Sequence, residues 1–149
     1  NDALKLIFNY ILCGGADTLN VLELIENILK QNYDVDILCV HGAWYGGVIS
    51  CEIVKMCINF GANPSYNKFE ESPLCGAVCN GNKELVKLLI DAGANVCLKG
   101  RRPLAFKQRE SSCNISCCID IYSQTPLSLA IECGNKEIIG LLLENGASL

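Results

Sequence analysis

Two stretches of this chain are copies of one another. Residues 72–96 read SPLCGAVCNGNKELVKLLIDAGANV and residues 125–149 read TPLSLAIECGNKEIIGLLLENGASL, and they align over 25 positions without a gap. A weaker copy, SCEIVKMCINFGANPSYN, lies at 50–67, and a fourth candidate, LNVLELIENILKQNYDVDI, at 19–37. Self-similarity at a fixed period constrains a fold more than any local propensity, because each copy must be one structural unit that stacks on the next.

The unit is a helix–turn–helix. Ser72 or Thr125 is placed to cap a first helix, and Pro73 or Pro126 follows at the first helical position, where a missing N–H costs nothing. Ala77 and Ala130 are small enough for a neighbour to approach closely. Gly81 and Gly134 end that helix, and Asn82 or Asn135 opens a second one. The second helix carries Leu85, Val86, Leu88 and Leu89, or Ile138, Ile139, Leu141 and Leu142, a wide apolar stripe that ends at Gly93 or Gly146. Two such helices cannot bury that much apolar surface alone, whereas stacked neighbours can.

These residues resemble ankyrin repeats. The Ser/Thr-Pro-Leu start, the Gly-Asn turn, the Leu-rich second helix and the Gly-Ala end are that family's motif. The resemblance implies an all-α, ankyrin-repeat solenoid of stacked helix–turn–helix units with short β-hairpin fingers. It spans a single domain, 1–149, in about four repeats at 3–34, 35–66, 67–99 and 120–149. The second repeat lacks Thr-Pro-Leu, so its first helix is expected near ILCVHGAWYGG, with Trp44 and Tyr45 read as core. The first has Asn32 and Tyr33 where Gly-Ala is usual. From Asn32 to Gly61 is 29 residues, from Gly61 to Gly93 is 32, and from Gly93 to Gly146 is 53. Against a period of about 33 residues, the excess in the last interval falls at 100–119, the position of a finger tip. The chain reads as a piece of a longer protein.

That insertion holds the sharpest charge asymmetry in the sequence. The chain has twelve Lys and Arg against sixteen Asp and Glu, a net charge of −4. Lys99, Arg101, Arg102, Lys107 and Arg109 fall within eleven positions, opposed locally by Glu110 alone, so 99–119 is +4 and the remainder −8. Such a segment suits an acidic protein surface or nuclear localisation, and equally a solvated loop. One short basic loop on an acidic body gives few phosphate contacts, which argues against nucleic acid.

Catalytic signatures are missing. There is one histidine, His41, and no nucleophile elbow, phosphate-binding loop or metalloprotease helix. Cys39 and His41, two apart, do not make a dyad on a helix or a strand, so His41 reads as structural. No enzymatic activity and no cofactor are expected. Eleven cysteines are many, but the number is odd, no secretion signal precedes them, and Cys57, Cys75 and Cys79 take positions of small buried hydrophobes. They read as reduced core residues. Cys113, Cys117 and Cys118, with Cys97, are candidates for a zinc- or redox-responsive switch, although their spacing is not that of a zinc ribbon. No apolar run is long enough to span a bilayer.

The resemblance to ankyrin proteins also implies a function: binding a protein partner through the concave face and the fingers. Carried over residue by residue, this gives Lys68, Phe69 and Glu71 on the third finger and Cys79 and Asn80 at the end of the following helix. The fourth repeat supplies Ile121, Tyr122, Gln124, Glu132 and Cys133, and Arg101, Arg102, Lys107 and Arg109 of the insertion are a further recognition element. Phe69 and Tyr122 are the expected anchors. The chain, rich in Ile, Asn and Cys, is similar to ankyrin proteins of large DNA viruses, intracellular bacteria and AT-rich protists. That similarity implies a cytoplasmic or host-cytosolic effector. An alternative is the substrate-recruiting arm of an enzyme or ubiquitin-ligase adaptor whose chemistry lies elsewhere.

Overall fold

The computed structural model describes residues 18–45, 47–68, 70–101 and 123–149. Among them are seven α-helices: α1 (Thr18–Lys30), α2 (Val35–Tyr45), α3 (Ser50–Asn59), α4 (Pro73–Cys79), α5 (Lys83–Asp91), α6 (Pro126–Glu132) and α7 (Lys136–Glu144). A short 3₁₀ turn, Gly47–Ile49, leads into α3. The helices form two layers. α2, α4 and α6 stack in the inner layer, and α1, α3, α5 and α7 stack in the outer one. Each inner helix also packs on the outer helix that follows it.

The caps lie where the motif puts them. Ser72 Oγ accepts from Cys75 N at 3.5 Å and Thr125 Oγ1 from Ser128 N at 3.2 Å, with the proline next in the chain. Asn82 Oδ1 accepts from Leu85 N at 3.0 Å and Asn135 Oδ1 from Ile138 N at 3.2 Å. The outer helices end where Gly93 and Gly146 take φ of +94° and +82°, a region that costs a side chain energy. At the equivalent place after α1, Asn32 takes φ +59°, which asparagine tolerates better than most residues. The second repeat, lacking Thr-Pro-Leu, uses another cap. Asp34 Oδ1 accepts from the backbone N–H groups of Asp36 and Ile37, each at 3.2 Å, at the start of α2.

The core runs the length of the stack. Ile25, Leu38, Ile53, Leu74, Leu85, Leu89, Leu129, Ile138 and Leu142 are fully buried, each contributing about 1.5–3 kcal/mol of transfer free energy. Ala77 and Ala130 are buried between neighbours, as their size suggested. Cys57, Cys75 and Cys79 are core residues, together with Cys39 and Cys51.

Where the fingers are described, the expected hairpins are reduced to a single bridge. No strand forms among the described residues, and the one ladder contact is an isolated antiparallel bridge between Gly100 and Gln124. The cause is local. Asn63 Oδ1 accepts from Ser65 N at 2.9 Å and Asn95 Oδ1 from Cys97 N at 3.0 Å. These asparagine turns satisfy backbone donors that a hairpin would otherwise pair.

Candidate protein-binding edge

The fingers between α3 and α4 and between α5 and α6 form one edge of the stack. The Gly100–Gln124 bridge consists of two hydrogen bonds, Gly100 N to Gln124 O at 2.8 Å and Gln124 N to Gly100 O at 3.0 Å. It closes the root of the insertion. Gly100 lies so close to the third repeat that an added Cβ would sit 2.8 Å from Cys75 Sγ and 2.9 Å from Ser72 Cβ. Beyond it, Arg101 N donates to Glu70 O at 2.6 Å, and Arg101 Nε lies 3.4 Å from Glu70 Oε2. Asn67 Nδ2 donates to Lys99 O at 2.9 Å. The segment entering the insertion is thus laid along the preceding finger.

Charge concentrates on this edge. Glu71 is half-buried beside Arg101. Burial pushes its carboxyl pKa up, and the guanidinium pulls the other way. Lys68 is exposed. Gln124 Nε2 donates to Glu132 Oε1 at 2.8 Å, bracing the fourth finger against the end of α6. Tyr66 lies within the fields of Asp34, Asp36 and Glu71, and burial followed by those carboxylates raises its phenol pKa. Asp36 Oδ1 accepts from Asn63 N at 2.7 Å, tying the finger between α3 and α4 to the start of α2.

Several expected site residues therefore come together: Glu71 with Arg101, and Gln124 with Glu132. Asn80 is exposed, but its amide is committed within the fold. Nδ2 donates to Ala43 O at 3.0 Å and to Trp44 O at 2.9 Å. Cys79 is buried, so the surface role carried over to it fails, because the end of α4 is covered by its neighbours. Cys133 is half-buried. Phe69, Arg102, Lys107, Arg109, Ile121, Tyr122, Cys113, Cys117 and Cys118 lie outside the described residues. Asp34, Asp36 and Tyr66 escaped the sequence reading. The one local signal for Asp34 was an acidic residue just ahead of an apolar run, the position of a helix cap.

Trp44 is core, as expected, and the side chain of Tyr45 lies outside the described residues. His41 is partly buried, and burial lowers its pKa to about 4, so the imidazole is neutral at pH 7. Cys39 is fully buried and its pKa is raised by burial, with Cys57 and Asp36 adding to the effect. A neutral thiol sealed in the core is no nucleophile. Burial likewise pushes Cys57 and Cys75 up to about 12. No group of three metal-ligating side chains occurs among the described residues, and none of the described helices is long and apolar enough to cross a membrane.

Paired helices in two layers, with fingers projecting from one edge, define a helical-repeat solenoid. A family model for ankyrin repeats, in three copies, matches residues 40–149, and the chain belongs to that family. Ankyrin repeats are generally protein–protein interaction modules and typically non-catalytic. No curated protein is similar enough to the chain to match it.

Proposed function

We propose that this chain binds a partner protein along its finger edge and the adjoining face of the inner helices. Lys68, Glu71, Arg101, Gln124 and Glu132 form the described part of the contact surface. Phe69, Ile121 and Tyr122 extend it, and the basic insertion with Arg102, Lys107 and Arg109 gives it preference for an acidic partner surface. The observation that carries this reading is the root of the insertion. Gly100, Arg101 and Gln124 are pinned to the finger edge by backbone hydrogen bonds and by the contact with Glu70. Both described ends of the segment with the greatest excess of positive charge therefore lie on the edge that ankyrin proteins use for partners. Complementary charge there steers encounter and fixes register more than it adds affinity. Five buried thiols serving as apolar core residues suit a reducing, cytoplasmic compartment.

The test is affinity enrichment from a cytosolic lysate with the intact chain and with one in which residues 102–122 are replaced by a short turn. Circular dichroism first establishes that both fold. Capture by the intact chain alone supports the insertion as a recognition element. Equal capture by both removes it from the site.

A further inference from the structure

Arg101 is engaged twice by one acidic residue. Its Nε lies 3.4 Å from Glu70 Oε2, and its backbone N–H donates to Glu70 O at 2.6 Å. Glu70 stands there in a strained conformation. Among the described residues, only Asn32 and Glu70 take a positive φ without being glycine, both at +59°. Asparagine tolerates that region, whereas glutamate is disfavoured in it because its Cβ crowds a carbonyl oxygen. The turn is held by Glu70 N donating to Asn67 O at 3.2 Å and by Glu70 O accepting from Arg101. Backbone strain kept in place by its surroundings is a feature of ligand clamps. The side-chain contact, by contrast, is weak. It is single, it is longer than the about 2.7–2.9 Å of a strong charge-assisted hydrogen bond, and the Glu70 side chain is 57% exposed. Lys68 and Lys99 are exposed beside it, and Asn67 Nδ2 donates to Lys99 O at 2.9 Å, so the backbones that carry the two lysines lie side by side.

We propose that Arg101 is a carboxylate-binding subsite of the finger edge and that Glu70 is its internal occupant, which an acidic side chain of the partner displaces. The inference rests on the finger-edge reading of function and names the chemistry of one contact within it. A partner carboxylate that meets the guanidinium through two parallel N–H···O bonds holds it better than the single contact with Glu70. The exchange replaces one carboxylate by another, and what it breaks is an exposed ion pair, so little opposes it. Lys68 and Lys99 draw the incoming acid to the same place. The backbone bond from Arg101 N to Glu70 O needs neither side chain, and it keeps the subsite on the edge before and after the exchange.

The experiment measures binding of a fluorescently labelled peptide of alternating Glu and Ser to the chain by polarisation at low salt. Glu70→Gln and Glu70→Gly should each tighten binding by about two- to five-fold, the range that removal of a competing exposed ion pair covers. Glycine suits φ +59°, so Glu70→Gly should also keep or raise the denaturation midpoint, and the gain then does not come from a loosened fold. Glu84→Gln makes the same change of charge on the exposed side of α5 and should leave the affinity unchanged. Arg101→Gln keeps the backbone donor, should lose most of the binding, and should make Glu70→Gln silent in the double variant. Unchanged affinity in both Glu70 variants would overturn the proposal, as would equal tightening by Glu84→Gln, full binding by Arg101→Gln, or no binding by any form. The finger-edge reading fails separately. If the chain with residues 102–122 replaced by a short turn still binds the peptide, and Glu70→Gln still tightens that binding, the insertion leaves the site and the Arg101 subsite stands.

Discussion

The indole N–H of Trp44 donates to the carbonyl of Ser72 across 3.1 Å, joining the end of α2 to the cap of α4. The ring also covers Gly76, where an added Cβ would lie 2.8–3.0 Å from three ring atoms. One side chain of the irregular second repeat thereby locks the first of the regular ones, and Asn80 returns the contact through the carbonyls of Ala43 and Trp44.

Gly76→Ala should destabilise the fold by about 1–3 kcal/mol, because a methyl group has no room against a buried indole that is itself hydrogen-bonded. Urea denaturation followed by Trp44 fluorescence measures this, and an unchanged midpoint would mean that the ring can shift aside. Gly140 is the contrasting case. It lies inside α7, and a Cβ there meets nothing within 4 Å. Gly140→Ala should stabilise by about 0.5–1 kcal/mol through helix propensity alone.

Asn80→Ala leaves two carbonyls without their side-chain donor. A loss of about 1–3 kcal/mol is expected, with partner binding altered only as far as stability is. A variant that keeps its denaturation midpoint but loses its partner would return Asn80 to the contact surface.

His41 sets a pH dependence. Its folded pKa lies near 4, below the ordinary value of 6.5, because burial disfavours the charged ring. The unfolded chain therefore binds a proton that the folded chain does not. The stabilisation is complete above about pH 6.5 and is lost as pH falls toward 4. Denaturation midpoints should fall over that window in the wild-type chain and fall less in His41→Gln. Equal slopes would place the titration elsewhere.

At the root of the insertion, Gly100→Ala should clash with Cys75 and Ser72, which are buried and cannot yield easily. A stability loss of about 1–3 kcal/mol is expected, together with faster exchange of the Gly100 and Gln124 amides. Retained stability and protection would show that the bridge does not depend on the close approach.

The regular repeats were legible in the sequence because their signals are local. Ser72, Thr125, Asn82 and Asn135 each cap a helix three residues or fewer from their partner, and Gly93 and Gly146 report their own φ. Cys57 and Cys75 were legible as core by their place on apolar stripes. What escaped depends on distance along the chain. Trp44 reaches Ser72 over 28 residues, and Asn80 reaches Ala43 over 37. No periodicity encodes such pairs, so Asn80 read as free surface and Cys79 as accessible. The fingers read as hairpins because the family has them, yet Asn63 and Asn95 had already committed the backbone to turns. Asp34 capped α2 where the expected Thr-Pro-Leu was missing, a substitution that the second repeat's irregularity concealed.

The measurement that tests the account most directly is partner capture by two charge reversals of equal size. Lys68→Glu changes the finger edge, and Lys87→Glu changes the exposed face of α5 in the outer layer. With both variants folded, the finger-edge account predicts that Lys68→Glu loses most of the captured partner and that Lys87→Glu retains it. Retention by Lys68→Glu with loss in Lys87→Glu would contradict it and move the binding surface to the outer helices.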